Sequence, residues 1–342
     1  METSCDQLPA VFLTRLKEQF GEETYKNLMT FFSLRRPTTL RANTLKMSSE
    51  NLYQQLTAAG VELQPVAWNH LAYIVKDVSL KELTENPLYL NGSFYVQSLS
   101  SMLPPIVLDP QPGEKVLDLT AAPGSKTTQM AAMMNNSGEI IANDVSPIRL
   151  FKLTANLRMQ GVNNTYTRRG PGEYFWKKNP EFYDRVLVDV PCTMEGRINC
   201  NEPKSYQDWS EQKIRDLSVR QQHLLRSAIT SCKVGGTIVY STCTLAPEEN
   251  EGVVDWLLQR ERDTVQVEPI AIPGIQGMAG LPSWQGQTYD PQVKNSLRIL
   301  PSGTMEGFFV AKFRKIGSNM PLPEPKRFGR NRYERREKRD RY

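Results

Sequence analysis

Hydrophobic and polar positions separate the first third of the chain from the rest. Residues 1–30 carry apolar side chains at helical spacing, among them Phe12, Leu16 and Leu28. Over residues 31–94, short strand-like runs such as LRANTL and YIVKDV alternate with the helix-like run SSENLYQQLTAAGV, whose N-cap candidates are Ser48 and Ser49. The pattern predicts an N-terminal helical segment at 1–30 and a small α+β domain at 31–94.

Residues 95–315 show a regular alternation of strand-like and helix-like segments. The strand-like segments are VLDL, EIIAND, NNTYT, RVLVDV, GGTIVYS and GFFVAKF. Amphipathic segments of roughly 10–15 residues separate most of them, which is typical of βαβ units. We therefore expect an α/β domain with a mostly parallel sheet and helices on both faces.

Composition narrows the class of protein without naming a function. The chain has 342 residues, of which 39% are hydrophobic and 23% charged. No apolar run approaches the roughly 20 residues of a membrane span, and the segment METSCDQLPAVF lacks a signal-peptide pattern. We expect no membrane partner and a cytoplasmic location, or a nuclear or nucleolar one in a eukaryote.

The cysteine and histidine counts argue against disulfides and metals. The five cysteines are odd in number and lack the spacing of a disulfide framework, which favours a reducing compartment. Cys5 and Cys200 receive no role, and Cys232 is expected to pack in the core from an amphipathic helix. Only two histidines are present and no CxxC pair, so no metal site is expected.

Positive charge concentrates in two places. The segment 316–342 ends in PEPKRFGRNRYERREKRDRY, which reads as a disordered basic tail. A second basic cluster consists of Arg35, Arg36, Arg41 and Lys46. Each is either a solvated surface or a contact for a phosphate-rich partner.

A tight turn after the first strand of the α/β domain indicates a nucleotide-like cofactor. VLDL runs into Thr120–Thr127, a small-residue turn that lets a ligand approach the backbone and aims a helix N-terminus at it. The turn lacks both GxxxxGK[ST] and GxGxxG. Asp144 ends the next strand about 20 residues later, where a carboxylate binds ribose hydroxyls, although a helix N-cap is the alternative. S-adenosylmethionine is the cofactor class that remains.

Two cysteines follow buried strands, Cys192 after RVLVDV and Cys243 after GGTIVYS. The carboxyl ends of parallel strands meet at one sheet edge, so both thiols can share a pocket. A thiolate that adds to C6 of a pyrimidine makes C5 nucleophilic, and Asp189 is placed to offset charge at N3. The base must leave its stack, which implies a nucleic-acid partner. These residues alone leave open which thiol attacks.

The chain resembles the Fmu/Sun family of RNA (cytosine-5) methyltransferases over roughly residues 36–313. The motifs occur in family order: RPTTLRANTLK, GSFYVQSLSSMLPP, VLDLTAAPGSKTTQMA, FYDRVLVDVPCTMEGRI, GGTIVYSTCTLAPEENEGVVDWLL and SLRILPSGTMEGFFVAKF. The resemblance implies a Rossmann-like methyltransferase domain preceded by an RNA-recognition-like domain. It also implies C5 methylation of cytosine in structured RNA, either ribosomal or transfer RNA, through a covalent adduct.

The resemblance assigns roles to individual residues. It implies Cys243 as the nucleophile, Cys192 as the group that assists release, Asp189 in contact with the base, and Lys126 near cofactor and substrate. The candidate residues for cofactor binding are Asp118, Ala121, Ala122, Pro123, Gly124, Ser125, Lys126, Asp144, Arg149 and Asp189. We expect a monomer.

One segment departs from the family pattern. An Asp-Gly pair usually follows the third strand and contacts adenine, whereas this chain has Arg168-Arg169-Gly170-Pro171-Gly172-Glu173. The alternative function is therefore a catalytically weak or inactive RNA-binding assembly factor. A DNA cytosine-5 methyltransferase is disfavoured, because the Thr-Cys motif is present and a large target-recognition region is absent.

Overall fold

The computed structural model of the chain describes residues 5–320. Within that range the helices are α1 Ala10–Ser33, α2 Ser49–Ala58, α3 Leu80–Glu85, α4 Pro87–Leu90, α5 Leu103–Leu108, α6 Ser125–Met133, α7 Pro147–Met159, α8 Glu211–Ser231 and α9 Glu251–Glu261. The strands are β1 Thr39–Ala42, β2 Glu62–Val66, β3 Asn69–Lys76, β4 Phe94–Val96, β5 Lys115–Asp118, β6 Glu139–Asp144, β7 Thr165–Arg169, β8 Tyr183–Asp189, β9 Cys232–Thr242, β10 Val265–Glu268, β11 Met278–Ala279, β12 Ser283–Trp284, β13 Gln287–Thr288, β14 Leu297–Ile299 and β15 Phe308–Lys315.

A central mixed sheet carries the second part of the chain, in the strand order β11-β14-β15-β9-β8-β5-β6-β7, with β10 also paired to β15. Strands β7, β6, β5, β8 and β9 are parallel, and the strands beyond β9 are antiparallel. The α/β class predicted from the sequence is confirmed. The expectation of a mostly parallel sheet holds only for the half from β7 to β9.

Both faces of the sheet are buried. Val186 and Val188 of β8 pack with α8 and α9 on one face, whereas Leu187 packs with α5 and α6 on the other. Successive strand residues point to opposite faces, so a strand covered on both sides needs an uninterrupted apolar run. This is why RVLVDV is continuous rather than alternating.

The first part of the chain forms a smaller antiparallel sheet of order β2-β3-β1-β4, covered by α2. The Ser48 side chain, one of the two predicted N-cap candidates, caps α2 by accepting a hydrogen bond from the Asn51 backbone N–H. Asn43 joins this sheet to α7, because its Nδ2 donates to the carbonyls of Gly92 and Gln160, each at 2.8 Å.

The interpretation of the cysteines as unpaired is wrong for two of them. Cys5 and Cys200 form a disulfide across 195 residues of sequence. Helix α1 packs Phe12 and Phe32 against the loop that contains Cys200, and this packing brings the two cysteines together. A pair so distant in sequence has no local spacing signal.

Cys232 is buried as expected, but it begins β9 rather than lying on helix α8. Most of the predicted basic tail, residues 321–342, lies outside the described residues. From residue 5 to residue 320, no helix combines the length and apolar character needed to cross a membrane. The same range holds no cluster of three or more His, Cys, Asp or Glu side chains arranged to bind a metal.

Candidate active site

The two cysteine loops lie side by side at the carboxyl ends of β8 and β9. The parallel register pairs Asp189 with Ser241, so each chain leaves the sheet at the same level. The Sγ atoms of Cys192 and Cys243 are 3.3 Å apart. The crossover between the two strands, residues 190–231, includes α8.

The two thiols have different surroundings. Cys192 is buried, whereas Cys243 is partly exposed and lines a cavity of about 370 Å³. The contact with Cys243, together with burial and the nearby Glu249, raises the pKa of Cys192 well above its ordinary value. Cys243 is therefore the thiol that a molecule in the cavity meets first.

Asp189 is held at both carboxylate oxygens. Lys126 Nζ lies 2.6 Å from Oδ2, and the Ser241 hydroxyl donates to Oδ1 at 2.7 Å. Lys126 also donates to the Ser101 hydroxyl at 2.9 Å. The pair Lys126–Asp189 thus faces the cavity in a fixed orientation, with Cys243 on the same wall.

Sequence reasoning missed Ser101 and Ser241. Ser241 stands two residues before Cys243 in the Ser-Thr-Cys segment, so its place in a recognisable motif was the available signal. Ser101 comes from the 3₁₀ turn before α5. Nothing in the sequence indicates that this turn reaches Lys126.

The turn after β5 joins the sheet to α6 and contains one left-handed residue, Gly124. It contains a cis peptide between Ala122 and Pro123, and Gly124 has a φ of 108°. A Cβ at Gly124 would lie 2.7 Å from Leu153 Cδ1, so a side chain at this position collides with α7. The N-terminus of α6, at Ser125, directly follows the backbone of Ala121–Gly124.

Asp118 lies behind this turn, at the end of β5. Its carboxylate accepts a hydrogen bond from the Thr127 hydroxyl at 2.7 Å. Burial raises the pKa of Asp118 to about 7. Asp118 also lines the cavity, so a ligand that donates a hydrogen bond there would stabilise its ionised form.

A second cavity, of about 160 Å³, adjoins the first. Both are lined by Ala122, Arg149 and Asp189, and the second adds Asn143 and Asp144. Asp144 accepts a hydrogen bond from the Ser146 backbone N–H at 2.9 Å and pairs with Arg149 at 3.4 Å. Arg149 also donates to the Ala122 carbonyl.

The N-cap of α7 is Ser146, whose hydroxyl accepts from the Arg149 backbone N–H. The alternative reading of Asp144 as a helix N-cap is therefore wrong, although the residue does support the loop before α7.

The segment 168–173, which lacks the family aspartate, borders the second cavity through Gly172. Asn143 Nδ2 donates to the Gly170 carbonyl at 3.1 Å and to the Leu119 carbonyl at 3.0 Å. The buried Asn143 Oδ1 has no hydrogen-bond partner among the described residues. An orphaned buried acceptor beside the Asp144 carboxylate fits a ligand that brings its own hydrogen-bond donor.

The predicted basic cluster is not one surface. Arg41 is only 2% exposed and donates to the Thr128 hydroxyl at 3.0 Å. Burial lowers the pKa of Arg41 to about 9. Arg41 therefore ties β1 to α6, whereas Arg35 and Lys46 are exposed and Arg36 is half-buried.

Comparison with known proteins finds two matching family models and a similar solved structure. Residues 105–314 match the family described as 16S rRNA methyltransferase RsmB/F, and residues 8–99 match the N-terminal domain of 16S rRNA methyltransferase RsmF. A methyltransferase homologue from Pyrococcus horikoshii has a similar structure, with a TM-score of 0.79, 33% identity, and coverage of 90% of this chain and 96% of that one.

Two curated relatives illustrate the sequence similarity. A mouse 28S rRNA (cytosine-C(5))-methyltransferase is 37% identical over 91% of this chain and 39% of its own length. A ribosomal RNA small subunit methyltransferase F from Erwinia tasmaniensis is 34% identical over 93% of this chain and 65% of its own length. The chain thus spans less than two thirds of the length of these relatives.

Proposed function

The chain belongs to the 16S rRNA methyltransferase RsmB/F family, and from this premise we propose that it methylates C5 of cytosine in ribosomal RNA, using S-adenosylmethionine. The observation that carries the proposal is the pair of thiols 3.3 Å apart, of which Cys243 lines a cavity together with Asp189, next to the cavity lined by Asp144. Ribosomal RNA is favoured over transfer RNA because the relatives are named as rRNA enzymes.

The cofactor site would consist of the turn Ala121–Ser125 with Asp118, Asp144 and Arg149 around it. Asp144 would accept hydrogen bonds from the ribose hydroxyls, and Asn143 Oδ1 would accept one from the adenine side. When bound, S-adenosylmethionine supplies an electrophilic methyl group. This assignment offers a substitute for the aspartate missing from the segment 168–173.

The thiolate of Cys243 attacks C6 of the flipped cytosine, forming a C–S bond and making C5 electron-rich. Asp189 and Lys126 hydrogen-bond to the base and balance the charge that develops in the ring. After C5 carries the methyl group, a base removes the proton from C5. The electrons of the C5–H bond form the C5–C6 double bond, and the C–S bond breaks with its electron pair returning to Cys243. Cys192, the nearest thiol, assists this release.

Covalent trapping tests the mechanism, with ribosomal RNA from cells that lack the gene as substrate. We expect the Cys192→Ala variant to accumulate an RNA–protein adduct that survives a denaturing gel. Cys243→Ala should form no adduct and lose methyl transfer. Cys232→Ala, at the far end of β9 from Cys243, is the matched control and should behave as wild type.

Bisulfite sequencing of total RNA identifies the substrate. A cytosine protected only when the gene is present establishes the activity, and its position separates ribosomal from transfer RNA. No protected cytosine, together with no adduct from Cys192→Ala, would favour the RNA-binding assembly factor instead.

We also propose the division into a helical segment at 1–30, a small RNA-recognition-like domain at 31–94, a methyltransferase domain at 95–315 and a basic tail at 316–342. The four-stranded sheet β2-β3-β1-β4 supports the second boundary only approximately, because β4 extends to Val96.

A further inference from the structure

Arg197 stands at the wall of the catalytic cavity. It follows the Cys192 loop, its side chain is 54% exposed, and it lines the cavity together with Cys243. Its Nε lies 3.2 Å from Glu306 Oε1. An arginine held at Nε keeps the two terminal nitrogens of its fork available for a planar or tetrahedral anion.

Glu306 is itself anchored. Its Oε2 accepts a hydrogen bond from the Ser98 hydroxyl at 3.0 Å, and its carbonyl accepts one from the Ser100 hydroxyl at 2.7 Å. The carboxylate is only 17% exposed. The position of Arg197 is therefore set by a fixed partner rather than by solvent.

A second guanidinium, that of Arg36, lies close enough to Glu306 and Arg197 to be affected by both charges. Arg36 donates through Nε to the Met305 carbonyl at 3.1 Å, and its buried Nη2 has no partner within residues 5–320. Burial lowers the pKa of Arg36; the charge of Glu306 raises it and that of Arg197 lowers it. Glu306 therefore has two cations near it, although of these two only Arg197 lines the cavity.

The reaction proposed for Cys243 indicates which group the Arg197 guanidinium would contact. A base that is turned into a pocket leaves its ribose and phosphate at the pocket mouth. The phosphodiester is the part of RNA that guanidinium groups bind best, through bidentate charge-assisted hydrogen bonds. A nucleotide seated against Cys243 would therefore bring an anion to the wall that carries Arg197.

We propose that Arg197, oriented by Glu306, binds a backbone phosphate of the nucleotide whose base enters the Cys243 cavity. This inference takes the identity of the base from the proposed function. The binding of the phosphate anion does not depend on that function. It makes Arg197 a substrate-binding residue contributed by the same loop that carries Cys192.

Salt-dependent binding of a short fluorescein-labelled oligocytidine tests the site. We expect Arg197→Ala to weaken binding about tenfold, as loss of a charge-assisted contact predicts. The slope of log affinity against log salt should become shallower by about 0.7, the value for one phosphate contact on a single strand. Arg197→Lys should retain the slope and recover only part of the affinity.

Arg314→Ala is the matched control. Arg314 is also part-exposed and paired with a glutamate, Glu268, but it lies at the opposite end of β15 from the cavity. This variant should bind oligocytidine with wild-type affinity and slope. In turnover with ribosomal RNA, Arg197→Ala should raise KM and leave kcat at saturating RNA within about a factor of three of wild type.

Three results would overturn the proposal: wild-type protein that does not bind oligocytidine, an Arg197→Ala salt slope equal to that of wild type, or a loss confined to kcat. A thermal unfolding curve for each variant separates binding loss from unfolding. If wild-type protein binds RNA with the expected Arg197 dependence yet methylates no cytosine, the phosphate site stands and the proposed activity fails.

Discussion

Glu249 is a fully buried carboxyl group behind the two cysteines. It accepts hydrogen bonds from the Thr193 backbone N–H at 3.1 Å, from the Thr193 hydroxyl, and from Gln221 at 2.7 Å. The Thr193 hydroxyl also lies 2.8 Å from that of Thr244. Thr193 follows Cys192 and Thr244 follows Cys243. The hydrogen bonds of the Thr193 side chain to Glu249 and Thr244 therefore set the spacing of the two cysteine loops.

Burial raises the pKa of Glu249 from 4.5 to about 8. The folded chain therefore binds a proton that the unfolded chain releases between these two values, so the free energy of unfolding should fall as pH rises through this window. Glu249→Gln stays neutral and should flatten that fall, measured by urea unfolding at a series of pH values. Asp118, whose pKa is raised to about 7, contributes in the same direction and will leave a residual slope.

The exposed Glu22→Gln serves as a control for this measurement, since the Glu22 side chain is 60% exposed and should not alter the curve. A Glu249→Gln variant with the same pH dependence as wild type would show that the carboxyl is ionised in the folded protein.

At the scale of elements, the loop after Cys192 crosses the start of β15 in backbone contact. The Gly196 N–H donates to the Cys243 carbonyl at 3.0 Å, and the Gly307 N–H donates to the Gly196 carbonyl at 2.9 Å. A Cβ at Gly196 would lie 2.1 Å from the Gly307 carbonyl oxygen. Both cysteine loops and the last strand therefore depend on this crossing.

Gly196→Ala must push the loop and β15 apart. We expect a loss of about 1–3 kcal/mol in unfolding free energy, as for other overpacked sites, and at least a tenfold loss of methyl transfer because Cys243 moves. Gly303→Ala, in the segment just before β15 with open space around its Cβ position, should be neutral in both assays. Equal activity of the two variants would contradict the importance of the crossing.

The sequence predicts the elements of the parallel half because each carries its pattern within itself, such as the apolar run RVLVDV or the amphipathic helix α8, whose predicted end went past Ser231 to include Cys232. It also predicts that Cys192 and Cys243 approach each other, because parallel topology alone brings strand ends together. The short strands β11 to β13 have two residues each, too few to show a period. Glu249 and Ser241 were missed because their partners lie on other elements, and sequence spacing does not reveal such contacts.

On the scale of the whole molecule, helix α1 acts as a brace on the loop that follows β8 and carries Cys192 and Cys200. The Cys200 N–H donates to the Phe32 carbonyl at 2.8 Å, and Arg15 of α1 pairs with Glu248 at 2.7 Å, next to Glu249. The disulfide between Cys5 and Cys200 secures the start of this segment. The N-terminal segment is thus coupled to the site although it contributes no residue to the cavity lining described above.

Opening the disulfide should loosen this brace. Closing a loop of 195 residues restricts the unfolded chain, so we expect reduction to lower the unfolding free energy by about 2–5 kcal/mol. Thermal unfolding of wild type with and without a phosphine reductant measures the effect. The Cys5→Ser variant should already unfold at the lower temperature and should not respond to reductant. If the reductant leaves the melting temperature of the wild type unchanged, the disulfide contributes nothing to stability.

The contact between Cys192 and Cys243 has a consequence for oxidation. Their sulfurs lie 3.3 Å apart, and a disulfide needs about 2.05 Å, so a small shift would let an oxidant join them. That single bond would remove both Cys243, the proposed nucleophile, and Cys192, proposed to assist release, and a thiol would restore both. The molecule thus carries two cysteine pairs with opposite needs. The Cys5–Cys200 disulfide is maintained by oxidising conditions, whereas Cys192 and Cys243 must stay reduced. Peroxide would therefore inactivate the Cys192–Cys243 site while leaving the Cys5–Cys200 disulfide intact. A strong reductant would open that disulfide and keep Cys192 and Cys243 reduced.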